Sequence, residues 1–264
     1  MSVRRGYVNV SFGQVHYRYT GKRGAPIIVL LHQTPSNSVM YEPLMQELAS
    51  EFRLIAPDTP GMGQSDALAG DLSMTAIAAA IAEFLDELGV EECALFGHHT
   101  GASIAVELAA NFSLNVQALL LSGPTLLDDD LRAKLPAMAA AIPVSGDGQH
   151  MLAMWERIHA KDAAAPLDII QREALNGLAL GTRYPDAYDA VIAQDFGTLL
   201  KKIRCPVLAF AGTEDPLYGK LDATCDALAE AERAEIDGAR TFICETHVGA
   251  VADLVRDYCA KVAA

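Results

Sequence analysis

The chain has no closely spaced cysteines, no run of basic residues and no long apolar stretch, and each absence removes a class of protein. Its five cysteines (Cys93, Cys205, Cys225, Cys244, Cys259) are odd in number and form no C-x-x-C. That disfavours a disulfide framework or a zinc knuckle and fits reduced thiols in a cytoplasmic protein. Against 34 acidic residues stand 20 basic ones, a net charge of −14, with no cluster of Lys or Arg. Nucleic acid and anionic membrane surfaces are therefore poor partners, and a small molecule is the expected one. No segment reaches the roughly 18 consecutive apolar residues of a membrane span, and Met1-Ser2-Val3-Arg4-Arg5-Gly6 leads into no signal-peptide core. No H-x-H or H-E-x-x-H spacing occurs, so no catalytic metal is expected. Asp58–Asp66, with its paired glycines, lacks the lysine of a phosphate loop and reads as a structural turn.

What is present is apolar material, 51% of 264 residues, enough for one large core with or without a smaller insert. Residues 6–20 alternate around Phe12-Gly13-Gln14, a hairpin at a sheet edge. Ile27–Leu31 is a continuous apolar run, as expected of a strand covered on both faces. Phe52–Pro57, residues 92–96, Val116–Ser122 and Pro206–Ala211 continue the series, and a last strand is expected near Ala239–Cys244. Helical spacing places helices at 41–50, 73–88, after the Gly97–Gly101 turn, at 221–231 and at 248–262. Alternating strands and helices imply an α/β fold with a mostly parallel, twisted sheet and helices on both faces. From Pro124 to about Phe196 the rhythm changes to short, alanine-rich helices broken by prolines and glycines. The expected division is a core of residues 1–123 and 197–264 with a helical cap of residues 124–196 inserted in it.

The centre of the pattern is Gly97-His98-His99-Thr100-Gly101, between a short apolar strand and a helix. A sharp strand-to-helix turn flanked by glycines is a nucleophile elbow, which forces its middle residue out above the sheet. Such a turn normally carries Ser, less often Asp or Cys, because those side chains can form a covalent intermediate. Here the middle residue is His99.

Together with His32-Gln33-Thr34-Pro35 after one strand, Asp58–Asp66 after the next, and Asp215 and His247 late in the chain, the elbow resembles the α/β-hydrolase superfamily over nearly the whole sequence. The order nucleophile, acid, histidine is that of the fold. The His32–Pro35 loop is similar to the H-G-x-P loop of capped hydrolases, a group that includes haloalkane dehalogenases, epoxide hydrolases and ester or C–C bond hydrolases. Gln33 stands where the usual glycine would be, and His99 where the nucleophile would be.

The resemblance implies that Asp215 orients His247, the general base, and that the backbone N–H groups of Gln33 and Thr100 form an oxyanion hole. His99 leaves three chemistries open. It can attack directly and form an acyl-imidazole, activate a water together with His247, or only hydrogen-bond a substrate oxygen. His32 and His98 read as structural, with the adjacent rings of His98 and His99 expected to diverge. Ser103 reads as a packing residue, and Asp128–Asp130 as a solvated run more than an alternative acid. Met138, Met151, Met154, Trp155, His159 and Tyr188 could line an apolar pocket, with Trp155 the chosen wall residue. The expected function is hydrolysis of a small, mainly apolar carbonyl compound (ester, lactone or C–C bond) without metal or organic cofactor. A lyase or cofactor-free proton-transfer enzyme, and a non-catalytic small-ligand binder, are the alternatives.

Overall fold

A computed structural model describes residues 1–263 of the chain. Eight strands form one sheet: β1 (Arg4–Val10), β2 (Gly13–Thr20), β3 (Ile27–Leu31), β4 (Arg53–Pro57), β5 (Glu92–His98), β6 (Asn115–Ser122), β7 (Val207–Gly212) and β8 (Ala231–Ile236). Their order across the sheet is β1-β2-β4-β3-β5-β6-β7-β8. β1 and β2 form the antiparallel hairpin at the edge and β2 pairs antiparallel with β4, whereas β4, β3, β5, β6, β7 and β8 are mutually parallel. The chain order reverses about β3, and in such sheets ligands bind beyond the carboxyl ends of the strands near that reversal.

The apolar strands are covered on both faces because their side chains alternate. Val29, Leu31, Leu95 and Leu119 face a layer built from α2 (Met74–Glu87) and α3 (Thr100–Asn111). Ile28, Leu30, Phe96 and Leu120 face α1 (Glu42–Leu48). The helix that completes this second layer is the last in the chain. Between β6 and β7 the chain is helical, with α4 (Asp129–Met138), α5 (Gln149–His159), α6 (Leu167–Leu180), α7 (Asp186–Ala193) and α8 (Phe196–Leu200). Ala139, Met154, Ile158, Ile170 and Tyr184 of this stretch form a separate cluster that also takes in Phe242. Among the described residues no helix is long and apolar enough to cross a membrane.

The C-terminal third departs from expectation. α9 (Leu221–Asp226) ends five residues early, and the last strand lies before Ala239, not at 239–244. β8 is the sheet edge, so one flank of its backbone is unpaired, and Glu232, Arg233 and Glu235 keep it from reading as an apolar run. The apolar Phe242-Ile243-Cys244, which mimics a strand, is buried in irregular chain and in the short α10 (Ile243–Thr246). α11 (Val248–Val262) follows at once and lies as expected, burying Val251 and Val255 in the second layer.

Candidate active site

β5 delivers His98 and His99 to the carboxyl edge of the sheet, and α3 starts at the next residue. His99 turns the chain with φ 49° and ψ −113°, and it alone of the described non-glycine residues has positive φ. Such a conformation costs about 1–3 kcal/mol and persists where the surroundings enforce it. Two glycines do so here. A Cβ on Gly97 would strike the Gly101 carbonyl, and one on Gly101 would strike the Leu31 carbonyl, so helix and strands approach closer than a side chain permits. The His99 N–H donates to the Ser122 carbonyl at 2.9 Å and pins the turn to β6.

The turn after β7 holds the imidazole. Asp215 Oδ2 lies 2.8 Å from His99 Nε2, and the Leu217 N–H donates to Asp215 Oδ1 at 2.8 Å. The Asp215 side chain is 2% exposed, that of His99 16%. Burial alone would raise the Asp215 carboxyl, but the neighbouring His99 and the hydrogen bonds outweigh it and hold the group below the usual carboxylate range. An ionised carboxylate only accepts, so Nε2 carries a proton, and in the neutral ring the lone pair is then on Nδ1. Gly123, at φ 56°, makes room for the ring, since a Cβ there would lie 2.6 Å from His99 Nε2.

Beneath it lies His98, and the two rings do not diverge as expected. Their centroids are 4.2 Å apart and their planes inclined by 31°. Successive strand side chains would point to opposite faces, but the positive φ at His99 swings its ring back over the end of β5. His98 Nε2–H donates to the Thr241 carbonyl at 2.8 Å, and its Nδ1 accepts from the Ser122 hydroxyl at 2.9 Å. Burial, and after it the adjacent His99, push its pKa down to about 3, so His98 is neutral.

The loop after β3 forms the opposite side. His32, Gln33 and Thr34 are buried, and the His32 carbonyl lies close enough to Gly101 to set Gln33 beside the start of α3. His32 Nδ1–H donates to the Gln33 carbonyl and its Nε2 accepts from the Thr59 N–H, both at 2.8 Å. The Gln33 Oε1 atom is buried with no partner. Thr100 is the first residue of α3, so its N–H has no intrahelical acceptor, and the helix start favours negative charge nearby. A basic nitrogen backed by a carboxylate thus stands at a helix N-terminus.

The sequence model of the α/β hydrolase fold family matches residues 26–246. This chain belongs to that family. It is 27% identical over 270 residues to an uncharacterized hydrolase of Saccharomyces cerevisiae, covering 91% of each chain. Its fold is similar to that of a thermophilic esterase from Thermogutta terrifontis, with a TM-score of 0.80 and 22% identity over 98% of this chain and 99% of that one. It is also similar to the enol-lactonase of Burkholderia xenovorans LB400, with a TM-score of 0.79 and 21% identity over 97% of this chain and 100% of that one.

In this α/β hydrolase fold chain the displaced element is His247. Its Nδ1 lies 2.9 Å from the Thr246 hydroxyl at the start of α11, while both Asp215 oxygens have other partners, so the expected Asp215–His247 pair does not form. The stretch after β8 that reaches the elbow is 237–242. The Glu214 N–H donates to the Ala239 carbonyl at 3.0 Å, and the Thr241 carbonyl takes the His98 proton. His247 lies one short helix further on. Thr241, 2% exposed, escaped notice because its position depends on placing β8 at 231–236.

Trp155 is half-buried against the cluster of Met154, Ile158 and Phe242. Met138 and Met151, proposed with it as pocket lining, face solvent at 60% and 55% exposure. The Tyr188 hydroxyl donates to the Thr34 carbonyl at 2.7 Å, lacing α7 to the loop beside Gln33. Ser103 is fully buried, with its hydroxyl 2.5 Å from that of Thr125, and Asp128 caps α4 and pairs with Lys220. A second buried group also went unnoticed. Glu173 on α6 accepts from Arg172 at 2.7 Å and from the Ser36 hydroxyl at 3.1 Å, while Arg172 also grips both oxygens of Glu245. Burial raises the Glu173 carboxyl to about 7 despite Arg172, whose charge Glu245 shares.

Proposed function

We propose that this chain hydrolyses a small, mainly apolar carbonyl compound, an ester, a lactone or an activated C–C bond, with His99 as general base and Asp215 as its orienting acid. The observation that carries this reading is the 2.8 Å contact between His99 Nε2 and Asp215 Oδ2. It leaves the Nδ1 lone pair at the place where an elbow presents its reactive atom. Nδ1 takes a proton from water as the water oxygen attacks the carbonyl carbon, and the carbonyl π pair moves to oxygen. The Gln33 and Thr100 N–H groups stabilise that oxyanion. When it collapses, the leaving group departs with the bond pair and recovers the proton from the imidazolium, which Asp215 has stabilised meanwhile. No side-chain nucleophile, metal or organic cofactor enters this scheme. Residues 124–196 serve as the cap, laced down through Tyr188, and Trp155 is assigned to the pocket wall.

Family membership supports hydrolysis, and the absence of Ser, Cys or Asp at the elbow favours water over a side chain as the attacking group. Turnover of a panel of esters and lactones in ¹⁸O-labelled water tests the reading. It expects one labelled oxygen in the product acid and loss of turnover in His99→Ala. Turnover with no label in any product would assign the pair to a lyase or proton-transfer reaction instead. Ligand binding without turnover would make the chain a binder.

A further inference from the structure

We infer a second ligand site, for a small oxyanion bearing a phosphoryl or carboxylate group, in the cleft where β1 and β2 meet the loops after β3 and β4. The cleft encloses about 350 Å³ and is lined by Arg5, Tyr7, His16, Arg18, Asn37 and Gln64, with Asp58 at its base. This inference does not depend on the activity proposed for His99.

Arg5 and Arg18 are register partners in the antiparallel β1–β2 pair, so two guanidinium-bearing side chains stand directly opposite on one face of the hairpin. Like charges so placed repel. Of the two, Arg18 has a carboxylate partner, Glu42 at 2.6 Å, and its Nη1 donates to the Ser38 hydroxyl at 3.1 Å. The next pair on that face is Tyr7 and His16, with ring centroids 5.1 Å apart.

His16 is 2% exposed, and its Nδ1–H donates to Asp58 Oδ2 at 2.8 Å. The same carboxylate accepts from the Ser38 N–H at 2.7 Å and the Gln64 N–H at 2.9 Å, so its charge is absorbed by the wall. His16 belongs to the cleft lining, and its Nε2 has no partner among the described residues. The cleft therefore sets two guanidinium-bearing side chains beside a buried imidazole whose Nδ1 is committed to Asp58, and Arg5 is the one of the two arginines without a carboxylate partner among the described residues.

The guanidinium donor fork matches the oxygens of phosphoryl and carboxylate groups. An anion seated between Arg5 and Arg18 turns their repulsion into a shared attraction. His16, held by Asp58 through its Nδ1, lines the same cleft between them.

Calorimetric titration of the full chain with inorganic phosphate, at fixed pH and ionic strength, tests the site. The expected result is saturable one-site binding that survives His99→Ala and weakens about tenfold or more in Arg5→Ala, the loss of roughly one charged hydrogen bond. Arg5 is exposed, so that variant should fold normally. Malonate that competes with phosphate supports a general oxyanion site, and failure to compete narrows the ligand to phosphoryl compounds. No saturable binding, binding unchanged in Arg5→Ala, or binding lost in His99→Ala would each overturn the inference.

Discussion

Asp215 Oδ2 meets His99 Nε2 at 2.8 Å, so the acid of the site is bonded to the residue at the elbow and not to a histidine after the last strand. In the proposed mechanism base and elbow residue are one side chain. A serine placed by the elbow would need a separate imidazole to remove its proton, whereas His99, as proposed, presents a lone pair directly and leaves water as the nucleophile.

The first prediction follows from that merger. His99→Ala should lower kcat/KM by about 10²–10⁴-fold, the range typical of a lost general base, and should also cost stability because the buried Asp215 carboxylate loses its partner. Asp215→Asn should cost a similar amount, because the amide no longer selects the Nε2–H tautomer. His247→Ala should leave kcat/KM near that of the parent chain. A large loss there, with His99→Ala unaffected, would restore the pairing that the sequence suggests.

Gly123→Ala should injure activity from outside the dyad. Its Cβ would lie 2.6 Å from His99 Nε2, and the positive φ of 56° adds backbone strain. The ring must leave Asp215 or tilt, so kcat should fall at least as far as in Asp215→Asn, at a stability cost of about 1–2 kcal/mol. Turnover measured beside urea unfolding separates the two effects. Full activity would show that the ring has another resting place.

Much of this architecture was legible in the sequence because buried parallel strands are apolar on both faces. Ile27–Leu31 could be little else, and Gly97 and Gly101 announce the tight approach that makes the elbow. The candidate residues Gln33, His99 and Asp215 were reachable from the sequence because each lies within three residues of the end of such a strand. It failed at the far edge. β8 needs no apolar run, so its charged residues hid it, and Phe242-Ile243-Cys244 took its place in the reading. The loop that touches the elbow, 237–242, carries no histidine, and His247 lies five residues beyond it. The contact between Asp215 and His99 joins residues more than a hundred positions apart, and no spacing rule reports it.

Stability should show opposing pH slopes. His98 is held at about 3 against an ordinary 6.5, so its contribution is complete above pH 6.5 and is lost as pH falls towards 3. Asp58 goes the same way lower down. Burial alone would raise it, but the His16 hydrogen bond, His32 and Ser38 outweigh that and hold it at about 2, so its contribution is lost as pH falls below 3.8. Glu173, raised from 4.5 to about 7 by burial, has the reverse sign. The folded chain binds its proton more tightly, so its contribution is present below pH 4.5 and lost as pH rises to 7, by an amount of order 3 kcal/mol. Glu173→Gln should therefore remove a decline in stability between pH 4.5 and 7 and leave the acid-side fall intact. Urea unfolding at half-unit pH steps measures both limbs, and an unchanged profile in the variant would mean that Arg172 keeps Glu173 ionised throughout.

The sharpest prediction comes from Thr241. Its carbonyl receives the His98 proton and its neighbour Ala239 bonds the Asp215 turn through Glu214, so position 241 lies on the one stretch after β8 that touches both halves of the site. His99→Ser alone should be inactive and should not react with fluorophosphonates, because the hydroxyl would have no imidazole to activate it and Asp215 would lose its partner. Adding Thr241→His should supply that imidazole from the loop after the last strand, with Asp215 free to orient it. The double variant should then gain ester hydrolysis through an acyl-enzyme and label at position 99, while Thr241→His in the parent chain should not. A double variant as inert as His99→Ser would mean that the 237–242 loop cannot present a side chain to the elbow. Activity in His99→Ser by itself would mean that another histidine, His98 or His247, already reaches it.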